Sequence, residues 1–202
     1  MIHIHNIHRH LAMVLVICGF ALTACTSEKP QFKSIDVTGA NYAQAFMLTD
    51  HTGQKRSLDS FKGKVVVLFF GYTQCPDVCP TSLGELVRVK QLLGKDGDRL
   101  QGVFVTVDPE RDSAEMLKAY MANFDESFVA FVPTKQELKD VSKAFKIYYK
   151  RVEGPTPTSY TMDHSAGSYV YDTHGKLRLF SRYGAGAEVL AEDIRALLAS
   201  SK

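Results

Sequence analysis

The residues best suited to chemistry are two cysteines in the segment FFGYTQCPDVCPTSL (Phe69–Leu83), where three residues separate Cys75 from Cys79. Thiols so spaced can close a disulfide, exchange electrons, or offer two soft ligands to one ion. A structural staple is the weakest reading, because closing so short a loop restricts the unfolded chain little and joins no distant segments. The redox reading carries a departure: the thioredoxin signature is Cys-x-x-Cys, and this loop has one residue more. A peroxidase of the peroxiredoxin type is disfavoured, since no Thr-x-x-Cys setting with a supporting arginine is evident. Structural zinc generally wants four protein ligands, more than this pair supplies.

A further donor would have to be histidine. His51 and His174 both lie in turn signals beside glycine, which fits surface roles. His164 differs: it lies in YTMDHSAGSYV, at the end of a Pro-containing loop and just before an expected strand. In a thioredoxin-like sheet that position lies beside the amino terminus of the first helix. Two sulfurs and one imidazole would form a low-coordinate soft site that favours Cu(I), with the imidazole helping to retain Cu(II). The residues alone leave metal and redox chemistry both open. Among the acids, Asp77 inside the cysteine loop is expected to stabilise the turn or face a partner, and Asp163 to orient His164. Asp108 and Asp112, in DPERD, are expected to end a strand and cap a helix.

The elements that must position these groups follow from periodicity. KVVVLFFG (64–71) and LQGVFVTVD (100–108) are continuous β-branched and aromatic runs, as expected of strands buried on both faces. A helix is expected from the cysteine loop to about Leu93, with Ser82 and Glu85 as its capping box. Further helices are expected in DSAEMLKAYMANF, with Asp112 as cap, and in TKQELKDVSKAF, with Thr134 and Glu137 in capping-box spacing. IYYKRV reads as extended and 154–162 as a loop. SYVYD and KLRLFSRY flank a turn, and a final helix carries Leu190, Ile194, Leu197 and Leu198 on one stripe. Buried strands covered by helices define an α/β domain.

The amino terminus reads as a leader. Leu11–Ala24 is uncharged and mostly apolar, and as a helix it would span roughly 21 Å, short of a hydrocarbon core of about 30 Å. Leu22-Thr23-Ala24-Cys25 resembles the bacterial lipobox, in which the cysteine takes the lipid. The expected organisation is a lipoprotein signal peptide at 1–24, a tether at 25–42 lipidated on Cys25, and a folded domain at 43–202. Cleavage would discard Cys18 and the histidines of HIHNIHRH. The formal charge of +2 offers no electrostatic case for nucleic acid.

GYTQCPDVCPTSL, VTVDPERDSAEMLKAY and YTMDHSAGSYVYDTHGKL occur in the order found in the Sco/SenC family. From about residue 42 to its end the chain resembles these membrane-tethered copper proteins. The resemblance implies a thioredoxin-like α/β fold, a central mixed β-sheet flanked by helices, with copper held by Cys75, Cys79 and His164. It implies a metallochaperone rather than a turnover enzyme. Such a protein delivers copper to the binuclear centre of cytochrome c oxidase, or keeps that centre's cysteines reduced. The partners implied are the copper-centre subunit of the oxidase, a second copper chaperone as donor, and a membrane reached through the lipid. The expected location is the bacterial cell envelope, with the domain on the exported, periplasmic side.

Overall fold

Two apolar runs form the centre of the molecule because neither alternates, so neither has a face to offer to water. The structure, a computed structural model, describes residues 30–156 and 159–200; the leader at 1–24 and Cys25 lie outside these. In chain order the strands are β1 (Ile35–Asp36), β2 (Met47–Thr49), β3 (Lys55–Ser57), β4 (Val65–Gly71), β5 (Leu100–Thr106), β6 (Val129–Phe131), β7 (Tyr149–Glu153), β8 (Tyr160–His164), β9 (Ser168–Tyr171) and β10 (Leu177–Ser181). The helices are α1 (Val78–Leu93), α2 (Ala114–Ala122), α3 (Lys135–Phe145) and α4 (Ala187–Ser200).

Six strands form one mixed sheet in the order β1-β10-β9-β4-β5-β6. β4, β5 and β6 run parallel, whereas β9 is antiparallel to β4 and β10, and β1 is antiparallel to β10. Every residue of β4 and β5 is buried, as their composition requires. The pleat divides β4 between two layers. Val67 and Phe69 line a cleft with Leu86 of α1 and Leu190 of α4, while the Phe70 ring packs 5.3 Å from that of Phe145 on α3. This is the expected thioredoxin-like α/β arrangement, with helices on both faces of a mixed sheet.

The chain joins the fold earlier than the expected boundary at residue 43. Asp36 pairs with Leu179, and Asp193 of α4 accepts the Lys33 and Ser34 amides at 2.8 Å each. The Thr134–Glu137 capping box is present: Thr134 Oγ1 accepts the Glu137 amide at 3.2 Å and Glu137 Oε2 accepts the Thr134 amide at 2.8 Å. The 154–162 loop is shorter than expected, because Tyr160–His164 is β8, paired antiparallel with β7. That two-stranded ribbon stands outside the six-stranded sheet.

Candidate metal centre

The cysteine loop leaves β4 at Gly71 and turns immediately, with the Cys75 amide donating to the Tyr72 carbonyl at 3.3 Å. α1 then begins at Val78 with Asp77 as its N-cap residue, so Cys79 lies in the first turn, where helix amides lack intrahelical acceptors. The Asp77 side chain caps nothing; it is exposed and accepts from Thr81 Oγ1 at 3.3 Å. The Cys79 amide instead donates to Cys75 Sγ at 3.4 Å, so a sulfur stands where a capping oxygen usually would. The expected Ser82–Glu85 capping box does not form. The helix starts earlier, and Ser82 falls in its second turn with its hydroxyl on the Val78 carbonyl at 2.8 Å.

Cys79 is buried and Cys75 half-buried, both as free thiols. The Cys79 sulfur rests against the end of β4, where only glycine fits. A Cβ on Gly71 would come within 2.7 Å of Cys79 Sγ and 2.7 Å of the Phe104 ring. Burial pushes the Cys79 thiol well above its ordinary range, and Cys75 and the Asp112 carboxylate push the same way, against a backbone hydrogen bond at Tyr72. With no cation beside it, this sulfur therefore keeps its proton at neutral pH.

His164 ends β8, opposite Tyr149. It therefore stands on the separate ribbon, not at the start of a sheet strand. Its Nε2 is 3.7 Å from Cys79 Sγ, and its Nδ1 is 3.0 Å from the Ser165 carbonyl. An Nδ1–H donating to that carbonyl leaves the Nε2 lone pair facing the thiol. The orienting partner is thus the Ser165 backbone. Asp163, expected in that role, is exposed, because the strand turns alternate side chains to opposite faces. Tyr72 stands edge-on to the imidazole, with centroids 5.9 Å apart at 89°.

The ligand atoms of Cys75, Cys79 and His164 all lie within 4.8 Å of one another, a single such group among the described residues. Two sulfurs and an imidazole suit a soft ion, and the half-buried Cys75 and His164 leave it a way in. His51 and His174 lie elsewhere: His51 Nδ1 accepts the Ala130 amide at 3.0 Å, and the His174 amide donates to Asp172 at 3.0 Å.

Two acids behave differently from their sequence expectation. Ser113, not Asp112, caps α2, accepting the Met116 amide at 3.2 Å. Asp112 is wholly buried and accepts from the Thr73 amide at 3.0 Å and from the Thr73 and Thr106 hydroxyls at 2.6 Å each. It fixes the loop two residues before Cys75. Asp108, also buried, accepts from Arg111 Nε and from the Tyr160 hydroxyl at 2.9 Å. The available signal was four charges, Asp108, Glu110, Arg111 and Asp112, crowded just beyond the carboxyl end of a parallel strand, where ligands bind in α/β sheets.

The SCO1/SenC family model matches residues 36–199. A SCO2-like protein of Rickettsia conorii is 35% identical over 158 residues, 77% of each chain. The mitochondrial SCO2 homologue of Mus musculus is 32% identical over 189 residues, 90% of this chain and 74% of the relative. Among solved structures, Bradyrhizobium japonicum ScoI with copper bound is 37% identical with a TM-score of 0.69, covering 77% of this chain and 98% of that one. Yeast Sco1 with copper bound is 29% identical with a TM-score of 0.71, covering 80% and 90%.

Proposed function

Because the chain belongs to the SCO1/SenC family, we propose that it is a copper chaperone serving cytochrome c oxidase, with copper as cargo on Cys75, Cys79 and His164. The observation that carries the reading is the convergence of two sulfurs and an imidazole nitrogen within 4.8 Å, although 85 positions separate Cys79 from His164. The copper-bound relatives from Bradyrhizobium japonicum and yeast support the choice of metal. Thiolates exchange between partners one at a time, so copper can pass to the oxidase subunit, or arrive from a donor chaperone, without becoming free. The half-buried Cys75 is the natural first sulfur to exchange, and the buried Cys79 the last to release.

The proposal includes a lipidated Cys25, holding the domain on the exported side of a bacterial envelope membrane. Among the described residues no helix is long and apolar enough to cross a membrane. Mass spectrometry of the mature protein should find Cys25 acylated at the amino terminus; an unmodified Cys25 removes the anchor from the reading.

The test of the site is a copper titration of the purified, reduced protein. We expect about one copper per chain, and strong weakening by Cys75→Ser, Cys79→Ser and His164→Ala. Full binding after loss of either cysteine rejects the site. A second reading, reduction of the oxidase centre's disulfide, has its own support in the exposure difference between the thiols. Cys75 would attack, Cys79 would close the Cys75–Cys79 disulfide, and the partner would leave as a dithiol. Near-normal rescue of oxidase assembly by His164→Ala, with none by the cysteine variants, would favour that reading.

A further inference from the structure

The thiols are held by the sheet and a long helix, but His164 stands on a ribbon whose strands pair only with each other. Something else must set the distance between imidazole and sulfur. A cleft of about 240 Å³, lined in part by Pro109, Leu138, Tyr160 and Met162, separates this ribbon from the body, so apolar packing beneath it is incomplete. The Tyr72 side chain, in the cysteine loop, hydrogen-bonds to the Met162 backbone of β8, and a second side chain, Arg111, bridges both halves of the site more extensively. Arg111 Nη1 donates to Gln74 Oε1 at 3.0 Å, beside Cys75, and to the Tyr160 carbonyl at 2.9 Å, at the start of β8.

The rest of Arg111 is locked to the same two halves. Its Nε meets Asp108, whose other oxygen accepts the Tyr160 hydroxyl at 2.9 Å. Its guanidinium carbon lies 3.5 Å from the centroid of the Tyr160 ring and 5.7 Å from that of Tyr72, the ring standing against His164. Its Nη2 is buried with no hydrogen-bond partner among the described residues. An unmet buried donor costs about 1–3 kcal/mol, so stability alone is a poor account of the group.

We propose that Arg111 is a positioning residue that sets the separation of His164 from Cys75 and Cys79. It does so by clamping the first residue of β8 to the cysteine loop. The proposal rests on the copper reading above. Arg111 touches no reacting atom; it acts through the ribbon.

The test is a double-mutant cycle on the purified full-length protein, with copper affinity and the nitrogen splitting of the Cu(II) electron paramagnetic resonance spectrum as readouts. Arg111→Met should weaken copper binding on the order of 10- to 100-fold and reduce the nitrogen splitting. In a His164→Ala background it should do almost nothing more. Without metal, the proton contacts between the Tyr72 and His164 rings should fade from the nuclear Overhauser spectrum of Arg111→Met. Should Arg111→Met not fold, Tyr160→Phe, which removes only the hydroxyl on Asp108, should shift the same readouts in the same direction. Equal losses with and without His164, or no loss in either background, overturn the proposal. If the wild-type protein binds no copper, the chaperone reading falls and this inference with it; if it binds copper and the cycle shows no coupling, only the inference falls.

Discussion

The two sides of the candidate centre are built differently. Cys75 follows β4, hydrogen-bonded to strands on both sides and buried along its whole length, and Cys79 lies in the first turn of the 16-residue α1. His164 ends a five-residue strand of a ribbon whose other strand, β7, is almost wholly exposed. Central parallel strands open only with large parts of the fold, whereas exposed ribbons belong to the least protected end of a structure. The soft pair is therefore the fixed element and the imidazole the yielding one. For the proposed copper chaperone, that division would let two sulfurs retain the metal while the third donor withdraws for transfer.

The comparison breaks most directly at the sulfurs. Cys79→Ser and Cys75→Ser should each lower copper affinity by more than the roughly 10- to 100-fold that loss of an orienting partner costs a metal site. They should differ in the metal-free fold. Cys75→Ser, half-buried, should shift stability by no more than about 0.5 kcal/mol. Cys79→Ser puts a hydroxyl in a buried pocket and should cost about 1–3 kcal/mol in thermal or denaturant unfolding. Loss of His164 comes next. His164→Ala should weaken Cu(II), which favours nitrogen, more than Cu(I), which the thiolates can hold. If Cu(I) affinity falls as far without the imidazole as without a sulfur, the two sides are not unequal as the fold implies.

The fixed side was largely legible in the sequence and the yielding side was not, for physical reasons. VVVLFFG and LQGVFVT declare themselves because a strand buried on both faces has no polar alternation. Thr134 and Glu137 form the expected box because a capping box is a local geometry. The same pattern at Ser82 and Glu85 misled, since pattern alone cannot say that α1 begins at Val78. Gly154 and Pro155 signal a loop over 154–162, but the short ribbon strand with Tyr160, Met162 and His164 facing inward begins inside that range, at Tyr160. His164 joined the site through family resemblance; no local rule links residues so far apart. Arg111 and Tyr160 were unreadable because an arginine in DPERD looks solvated until the fold lays it over two aromatic rings.

The seat of Cys79 offers a gentler probe of the fixed side. Gly71→Ala brings a methyl group within 2.7 Å of Cys79 Sγ and of Phe104, at the end of a strand paired with β5 and β9. Such overpacking should cost about 1–3 kcal/mol of stability and push the sulfur toward His164. Copper affinity should fall with the thiols chemically intact. An unchanged melting temperature together with unchanged affinity would show that the sulfur is not held where β4 ends, and the contrast between the two sides would weaken.

The smallest expected effect separates two buried acids, one at the site and one outside it. Burial raises the Asp112 carboxyl, and the hydrogen bonds from Thr106 and Thr73 only partly offset this, so its charged form is disfavoured by folding. Burial also opposes the charge on Asp50 of the β2–β3 ribbon, but hydrogen bonds from Thr52 and Gln54, with Arg56 at 2.6 Å, leave its carboxyl below the ordinary value of 3.8. The folded protein therefore binds more protons than the unfolded chain at Asp112 and fewer at Asp50. As pH rises through the carboxylate range, Asp112 withdraws stability and Asp50 adds it. The wild type's advantage over Asp50→Asn should be absent in acid and grow toward neutral pH, while its advantage over Asp112→Asn should shrink over the same rise. Denaturant unfolding of the metal-free variants across that range measures both. Parallel slopes would mean that Asp112 is held by its hydrogen bonds as an ordinary carboxylate, and that anchoring Thr73 beside the thiols carries no electrostatic cost.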